Sequence, residues 1–182
     1  MLGSFISGTD SILFKWTDFS VNASGNTLSR EKVISEVFKN PITDRDVLDV
    51  KKLYKSILQK SGKIECVWTG ARVTAYDIDH VIPFSIWKNN DLWNLLPAQS
   101  TVNNQKRHKI PSSDILNKRK DSIINYWDVL KSYQEERFFS EIRVSLLGKS
   151  DSEPNWQNFA FQQLKKTSEY LINTRGHEAW QL

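Results

Sequence analysis

The stretch DIDHVIPFSIWKNNDLWNLLPAQSTVNNQK, residues 77–106, combines an acid-histidine pair with two spaced asparagines and a lysine. His80 lies fourteen positions before Asn94. Asn94 lies nine positions before Asn103, and Lys106 follows Asn103 by three. A lone histidine is usually an ordinary surface or core residue, whereas this joint spacing is specific. The stretch therefore carries the strongest indication of fold and chemistry in the chain.

The same stretch predicts two short strands followed by a helix. β-branched and aromatic residues from position 64 onward indicate strands, with His80 at the end of one of them. The sequence LWNLL indicates another short strand, and Ser100 is suited to cap the following helix. On that helix Asn103, Lys106 and Arg107 are three and four residues apart, so they are expected to share one face.

Helices are predicted on both sides of this unit. Before it, Ser29 is a candidate cap for a helix that closes at Pro41, and Thr43 for a second helix that ends near Gly62. Residues 1–28 are interpreted as irregular structure or short strands. After Pro111, periodic apolar residues predict three helices. The first begins at Ser112 or Ser113, the second ends at Gly148, and the third begins near Pro154.

The length of 182 residues suits one medium domain, or a compact core with helical additions, and it is enough to bury a real hydrophobic core. The predicted strands and helices make the expected fold class α+β. We predict a single domain over residues 1–182, with an N-terminal helical region (1–62), a core (63–111) and a C-terminal helical region (112–182). Cys66 is the only cysteine, which excludes an internal disulfide and a zinc site built from CxxC pairs. Packing alone is expected to hold the core together, without structural zinc.

Basic residues are concentrated immediately after the motif. Residues 101–120 contain six basic residues and one acid, namely Lys106, Arg107, Lys109, Lys118, Arg119, Lys120 and Asp114. This excess of five exceeds the formal net charge of +4 for the whole chain, so the remainder is slightly acidic. An isolated basic run is as often a solvated helix face, but its place beside the motif favours contact with phosphates.

Sequence features that would direct the chain to a membrane were not found. No apolar run approaches the roughly 20 residues that cross a bilayer, and the first residues lack the pattern of a secretory signal. We therefore predict a cytoplasmic protein without a membrane partner.

The spacing of residues 77–106 resembles the HNH, or ββα-metal, nuclease motif. The form IDHxIPxS…LWNLxP…NxxK occurs in many bacterial HNH proteins, and the Asp-His, Asn, Asn and Lys arrangement is similar to the HNH domain of RNA-guided CRISPR nucleases. The resemblance covers roughly residues 64–111. It implies a ββα-metal core surrounded by several helices.

The resemblance also implies a role for each residue of the motif. His80 would be the general base, and Asp79 and Asn103 would be metal ligands. Asn94 would brace the loop that carries the histidine, because an amide offers both donors and an acceptor. Oxygen ligands favour hard ions, so Mg2+ is the expected cofactor and Mn2+ a substitute.

Several residues in and near the motif can be interpreted in two ways from the sequence. Asp77 would add charge near the metal or cap a local turn, and Asn104 would replace Asn103 as ligand if the helix began one residue later. Lys106, with Arg107 and Lys109, is expected to contact DNA, a solvated lysine being the alternative. His108 and His177 are interpreted as structural or surface residues.

The predicted function is metal-dependent hydrolysis of DNA phosphodiester bonds, in a setting such as bacterial defence or restriction. The alternative is a nucleic-acid binding module that keeps the fold without cutting. RNA stays open as a substrate. One such site cuts one strand, so a double-strand break would need a homodimer or a partner subunit. The chain is either a complete small enzyme or the nuclease part of a longer protein.

Overall fold

The computed structural model describes residues 12–25, 27–37, 44–148 and 155–182. Two compact units divide the chain, Met1–Pro41 and Ile42–Leu182. Pro41, Thr43 and Pro154, which the sequence placed at helix boundaries, lie outside the described residues. The organisation as a single domain stays a prediction.

In the described part of the first unit, two helices pack against each other, α1 (Ile12–Ala23) and α2 (Arg30–Val37). The interpretation of residues 1–28 as irregular structure or short strands was therefore wrong for α1. Polar residues interrupt the apolar pattern of α1, and a helix of this length depends on packing for its stability. The predicted cap of α2 is confirmed, since Ser29 Oγ accepts a hydrogen bond from the Lys32 amide at 3.2 Å.

Helix α3 (Leu48–Ser61) begins the second unit. The helix starts after Asp46, whose carboxylate accepts the Leu48 amide at 3.1 Å, so Asp46 precedes the first turn. Gly62 ends the helix in a left-handed conformation, with φ of 72°, as the sequence predicted. Arg45 consequently lies in the segment before the helix, where it is exposed.

The centre of the second unit is an antiparallel strand pair followed by a helix. The strands are β3 (Asp77–His80) and β4 (Leu95–Ala98), and His80 stands opposite Leu95. The first half of LWNLL forms a 3-10 turn, and only its second half belongs to β4. Between the two strands lie α4 (Phe84–Trp87) and the 3-10 turn Leu92–Asn94, and α5 (Ser100–Lys106) follows β4.

Other short strands and long helices surround this ββα unit. The hairpin β1 (Ile64–Glu65) and β2 (Arg72–Val73) precedes it, and β5 (Ile110–Pro111) pairs in parallel with β6 (Ala179–Trp180). Between these strands lie α6 (Ser113–Tyr133), α7 (Glu135–Ile142), the π-helical segment Arg143–Leu147 and α8 (Trp156–Asn173). The fold is mixed α+β, as predicted.

Large aromatic residues fill the core beside the ββα unit. Trp68, Trp93 and Trp127 are buried, and the Trp127 indole donates to the Trp93 carbonyl at 2.8 Å. Cys66 is buried as well, and its sulfur accepts the Gln99 amide at 3.2 Å. Apolar packing thus connects β1, β4 and α6 at the positions that flank the motif.

Within the described ranges, no helix is both long enough and apolar enough to cross a membrane.

Candidate active site

A cleft of about 580 Å³ opens beside the end of β3. The polar residues that line the cleft are acids, amides, histidines and cations, namely Asp44, Asp79, Asn103, Asn104, His80, His108, Arg45, Lys88 and Arg107. Pro83, Phe84 and Ser85 complete the wall. The fold thus brings together four residues that the sequence assigned to the site, Asp79, His80, Asn103 and Arg107.

Asp79 is held from both sides at the floor of the cleft. Its residue surface is only 3% exposed. The Trp68 indole donates to Oδ2 at 2.7 Å, and the Lys106 ammonium donates to Oδ1 at 3.0 Å. Each carboxylate oxygen can accept more than one bond, so both contacts leave lone pairs for a further partner. The carboxylate is consequently fixed in position while it borders the cleft.

His80 is buried beside Asp79, and polar partners contact both of its ring nitrogens. The guanidinium of Arg45 donates from Nε to Nδ1 at 3.2 Å, and Oδ1 of Asn90 lies 3.3 Å from Nε2. Burial lowers the pKa of His80 to about 4, the positive charges of Arg45 and Lys106 contribute to that lowering, and the hydrogen bond with Asn90 opposes them. The ring is therefore neutral near pH 7 and keeps one unprotonated nitrogen.

Asn94 lies fully buried behind the histidine loop. Its Oδ1 accepts the Ile82 amide at 2.7 Å, and its Nδ2 donates to the Ile82 carbonyl at 3.0 Å. The Asn94 carbonyl also accepts the Val81 amide at 2.8 Å. These bonds connect the residues after His80 to the start of β4, which is the geometry expected of a brace.

Asn103 lies on α5 and is partly exposed at the cleft. Its Nδ2 lies 3.4 Å from Oδ2 of Asp77, a long hydrogen bond that directs the amide nitrogen toward β3. With the nitrogen so placed, the amide oxygen has no protein partner among the contacts of the described residues. Asp77 therefore acts on the orientation of Asn103 and does not line the cleft itself.

Residues 66–112 match the family model described as HNH endonuclease. The match begins at the buried Cys66, includes β3, β4 and α5, and ends at the cap of α6. The chain carries an HNH endonuclease domain. No match was found among curated proteins.

An HNH endonuclease domain suggests nuclease activity in general, and it implies binding of a nucleic acid substrate. HNH nucleases commonly use divalent metals. The boundaries of the match agree closely with the resemblance that the sequence indicated over residues 64–111.

Lys106 lies away from solvent, which requires a correction of its sequence-based role. Its side chain is fully buried, and Nζ donates to the His80 carbonyl at 2.6 Å as well as to Asp79. Burial lowers the pKa of the ammonium, and the negative charge of Asp79 opposes that change. Neither a phosphate contact nor a solvated lysine fits this position. Lys106 instead stabilises the strand end that carries both Asp79 and His80.

The two other predicted DNA contacts occupy different surroundings. Arg107 is exposed and lines the cleft, immediately after α5. Its φ of 51° is rare for a residue with a side chain, and such strain is frequent at functional sites. Lys109 is not a cleft residue, and its ammonium pairs with Glu178 at 2.5 Å. Only Arg107 of the predicted set therefore faces the site.

Sequence reasoning missed three residues that contact the motif. These residues are Trp68, Arg45 and Asn90, none of which was a candidate site residue in the sequence. Asn90 lies in the loop between His80 and Asn94. The two adjacent asparagines in that loop were the sequence signal that could have pointed to it. Arg45 and Trp68 precede the motif and gave no such signal. His108 also lines the cleft, which its interpretation as a structural or surface residue did not anticipate.

The residues at the cleft fit a hard divalent ion held with few protein ligands. Among the described residues, no group of three or more histidine, cysteine or acidic side chains could hold a metal. The candidate donors are the Asp79 carboxylate and the Asn103 amide oxygen, which line the same cleft. Mg2+ typically binds through one or two protein oxygens and keeps waters or phosphate oxygens in its other positions. This donor set suits that ion better than zinc.

Proposed function

We propose that this protein is a metal-dependent endonuclease that hydrolyses phosphodiester bonds of DNA. The observation that carries the proposal is the meeting of a neutral histidine, a fixed carboxylate and an amide in one cleft with cationic walls. Hydrolysis needs a base for water, a counter-charge for the phosphate and stabilisation of the leaving oxygen. A site that only bound nucleic acid would not require a base beside a metal-binding carboxylate.

His80 acts as the base for the attacking water. The proton of that water passes to a ring nitrogen, the water oxygen bonds to phosphorus, and one P–O ester bond breaks. The leaving oxygen then takes a proton from solvent. A divalent ion bound by Asp79 and Asn103 would neutralise negative charge on the phosphate and on the leaving oxygen.

Arg45 connects substrate binding with the base. Its guanidinium contacts His80 Nδ1 and donates to the Ile78 carbonyl at 2.7 Å. Arg45 is exposed at the cleft, so an incoming phosphate offers this guanidinium an anionic partner. Movement of Arg45 toward the phosphate leaves Nδ1 to the attacking water.

The direct test is incubation of supercoiled plasmid with the protein in Mg2+ and in EDTA. We expect nicked plasmid in Mg2+ and unchanged plasmid in EDTA. Mn2+ should replace Mg2+, because both accept oxygen ligands. Binding of DNA without any cleavage at any Mg2+ or Mn2+ concentration would instead favour the non-cleaving module.

Loss of the Asn103 side chain should weaken the response to metal. We expect Asn103→Ala to raise the Mg2+ concentration for half-maximal cleavage about tenfold or more, equivalent to about 1.4 kcal/mol of binding free energy. Asn103 is preferred over Asp79 for this test, since removal of the Asp79 carboxylate leaves buried Lys106 without its anion. Asn104→Ala is the comparison. A shift in Asn104→Ala but not in Asn103→Ala would exchange the ligand assignment.

Removal of the cleft cations should reduce the salt dependence of DNA binding. Arg107 and Lys88 are exposed and line the cleft. We expect Arg107→Gln with Lys88→Gln to lower DNA affinity and to reduce the slope of log K against log[salt] by about 1 for each cation that binds a phosphate, because fewer counterions are released. The matched control is Lys55→Gln with Lys60→Gln on α3, outside the cleft. Equal slopes for the two double variants would place DNA elsewhere.

A further inference from the structure

The side-chain amide of Asn90 has a defined orientation. Its Nδ2 donates to the Asp44 carbonyl at 3.0 Å, so this atom is the amide nitrogen. Its Oδ1 accepts the Asp46 amide at 3.1 Å, so this atom is the oxygen. The oxygen is also the atom that lies 3.3 Å from His80 Nε2. A flipped amide would place a donor against the Asp46 amide and an acceptor against the Asp44 carbonyl.

The partners of His80 assign the proton of its neutral ring. An amide oxygen only accepts, so the nitrogen that faces Asn90 has to carry the hydrogen. A guanidinium only donates, so Nδ1, at 3.2 Å from Arg45 Nε, has to present its lone pair. Two independent contacts thus indicate the same tautomer, with the proton on Nε2.

The loop that carries Asn90 is held by two partly buried acids. The Asp91 carboxylate accepts the Trp93 indole at 3.0 Å, and Glu141 accepts the Leu92 amide at 2.6 Å. Arg137 pairs with Glu141 and donates to the Asn90 carbonyl at 3.3 Å. These contacts, most of them from α7, fix the backbone around Asn90, so its side chain meets His80 in a preset position.

We propose that Asn90 is a positioning residue that keeps the ring proton of His80 on Nε2 and thereby makes Nδ1 the catalytic base. This inference rests on the proposed nuclease function. When Nδ1 takes the proton of the attacking water, the ring becomes an imidazolium and retains the Nε2–H bond to Asn90. The amide is neutral, so it orients the ring without adding charge. The role resembles that of an orienting group behind a general base, which acts through the base and does not touch the substrate.

Replacement of Asn90 should lower turnover more than binding. We expect Asn90→Ala to reduce kcat about 10- to 100-fold, the range found when the group that orients a functional histidine is removed. DNA affinity should stay within about twofold, because Asn90 does not line the cleft. Asn90→Asp keeps an oxygen acceptor for Nε2 but loses the donor to the Asp44 carbonyl, so it should retain more turnover than Asn90→Ala. Asn125→Ala, on the exposed face of α6, is the matched control.

Nuclear magnetic resonance tests the tautomer without any cleavage. The chain has three histidines, so His108→Gln with His177→Gln leaves the His80 ring alone in a 15N-labelled spectrum. We expect a protonated Nε2 with slow solvent exchange and an unprotonated Nδ1. Asn90→Ala should lose the slow exchange, and Asn90→Asp should retain it. A proton on Nδ1 would overturn the proposal, as would Asn90→Ala with unchanged exchange and turnover.

The two measurements separate this proposal from the proposed function. A wild-type protein that never cleaves DNA would contradict the nuclease proposal, while the spectrum still reports the tautomer. A wild-type protein that cleaves, together with a proton on Nδ1, would contradict the role of Asn90 alone.

Discussion

Substitution of His80 by alanine is expected to lower plasmid cleavage by roughly 10²- to 10⁴-fold, the usual contribution of a positioned general base. Burial and the neighbouring cations keep the ring neutral, so its loss removes the group that accepts the proton of water. The measurement is single-turnover cleavage of supercoiled plasmid in Mg2+. DNA affinity, measured in parallel, should change little, because Arg107 and Lys88 remain in the cleft.

His108→Ala is the sharpest control for this experiment. His108 is exposed and lines the same cleft, but it precedes Lys109 and lies outside the set of contacts around Asp79. We expect near wild-type cleavage from this variant. Full activity of His80→Ala combined with inactivity of His108→Ala would transfer the role of base to His108. The fold of His80→Ala is checked by thermal unfolding, since the ring contacts Phe84 at 5.5 Å between centroids.

Substitution of Lys106 by methionine is expected to reduce the free energy of unfolding by about 3–5 kcal/mol, the usual effect of breaking a buried ion pair. The Lys106 side chain is fully buried and the Asp79 side chain is 4% exposed. Methionine fills much of the space, but it leaves the carboxylate with the Trp68 indole alone and the His80 carbonyl without its donor. The measurement is denaturant unfolding of the variant and the wild type.

A double-mutant cycle identifies the cause of this loss. If the unpaired carboxylate is responsible, Asp79→Asn added to Lys106→Met should recover part of the stability. The matched control is Lys109→Met, whose partner Glu178 is 59% exposed. An exposed pair of this kind contributes at most about 1 kcal/mol. Equal losses from Lys106→Met and Lys109→Met would show that burial of the Asp79 pair is not what stabilises the site.

The motif and its elements could be predicted because they are local. His80, Asn94 and Asn103 lie within one continuous strand, loop and helix unit, so their spacing in the sequence fixes their relation in space. The match of residues 66–112 to the HNH endonuclease family rests on the same stretch. Caps such as Ser29 and Gly62 were predictable for the same reason, since a cap depends on its nearest backbone groups.

The basic run after the motif shows where local reasoning failed. Helical periodicity placed Asn103 and Lys106 on one face of α5, but it could not say which side chains of that face point into the protein. Lys106 proved to be buried under the end of β3, and Arg107 leaves the helix with a positive φ. Exposure depends on what packs over a helix, and that information is not contained in the helix itself.

The sequence by itself predicted the acid-histidine pair, the asparagine proposed as a brace, the amide on α5 and the resemblance of this unit to HNH endonucleases. Only the tertiary structure decided what surrounds His80. Arg45 reaches His80 from thirty-five residues away, and the Trp68 indole reaches Asp79 from eleven residues away. Asn90 becomes an acceptor for His80 only because the segment before α3 fixes its amide. These contacts form only when distant segments of the chain pack around the core. Packing of this kind leaves no periodic pattern in the sequence of the residues concerned.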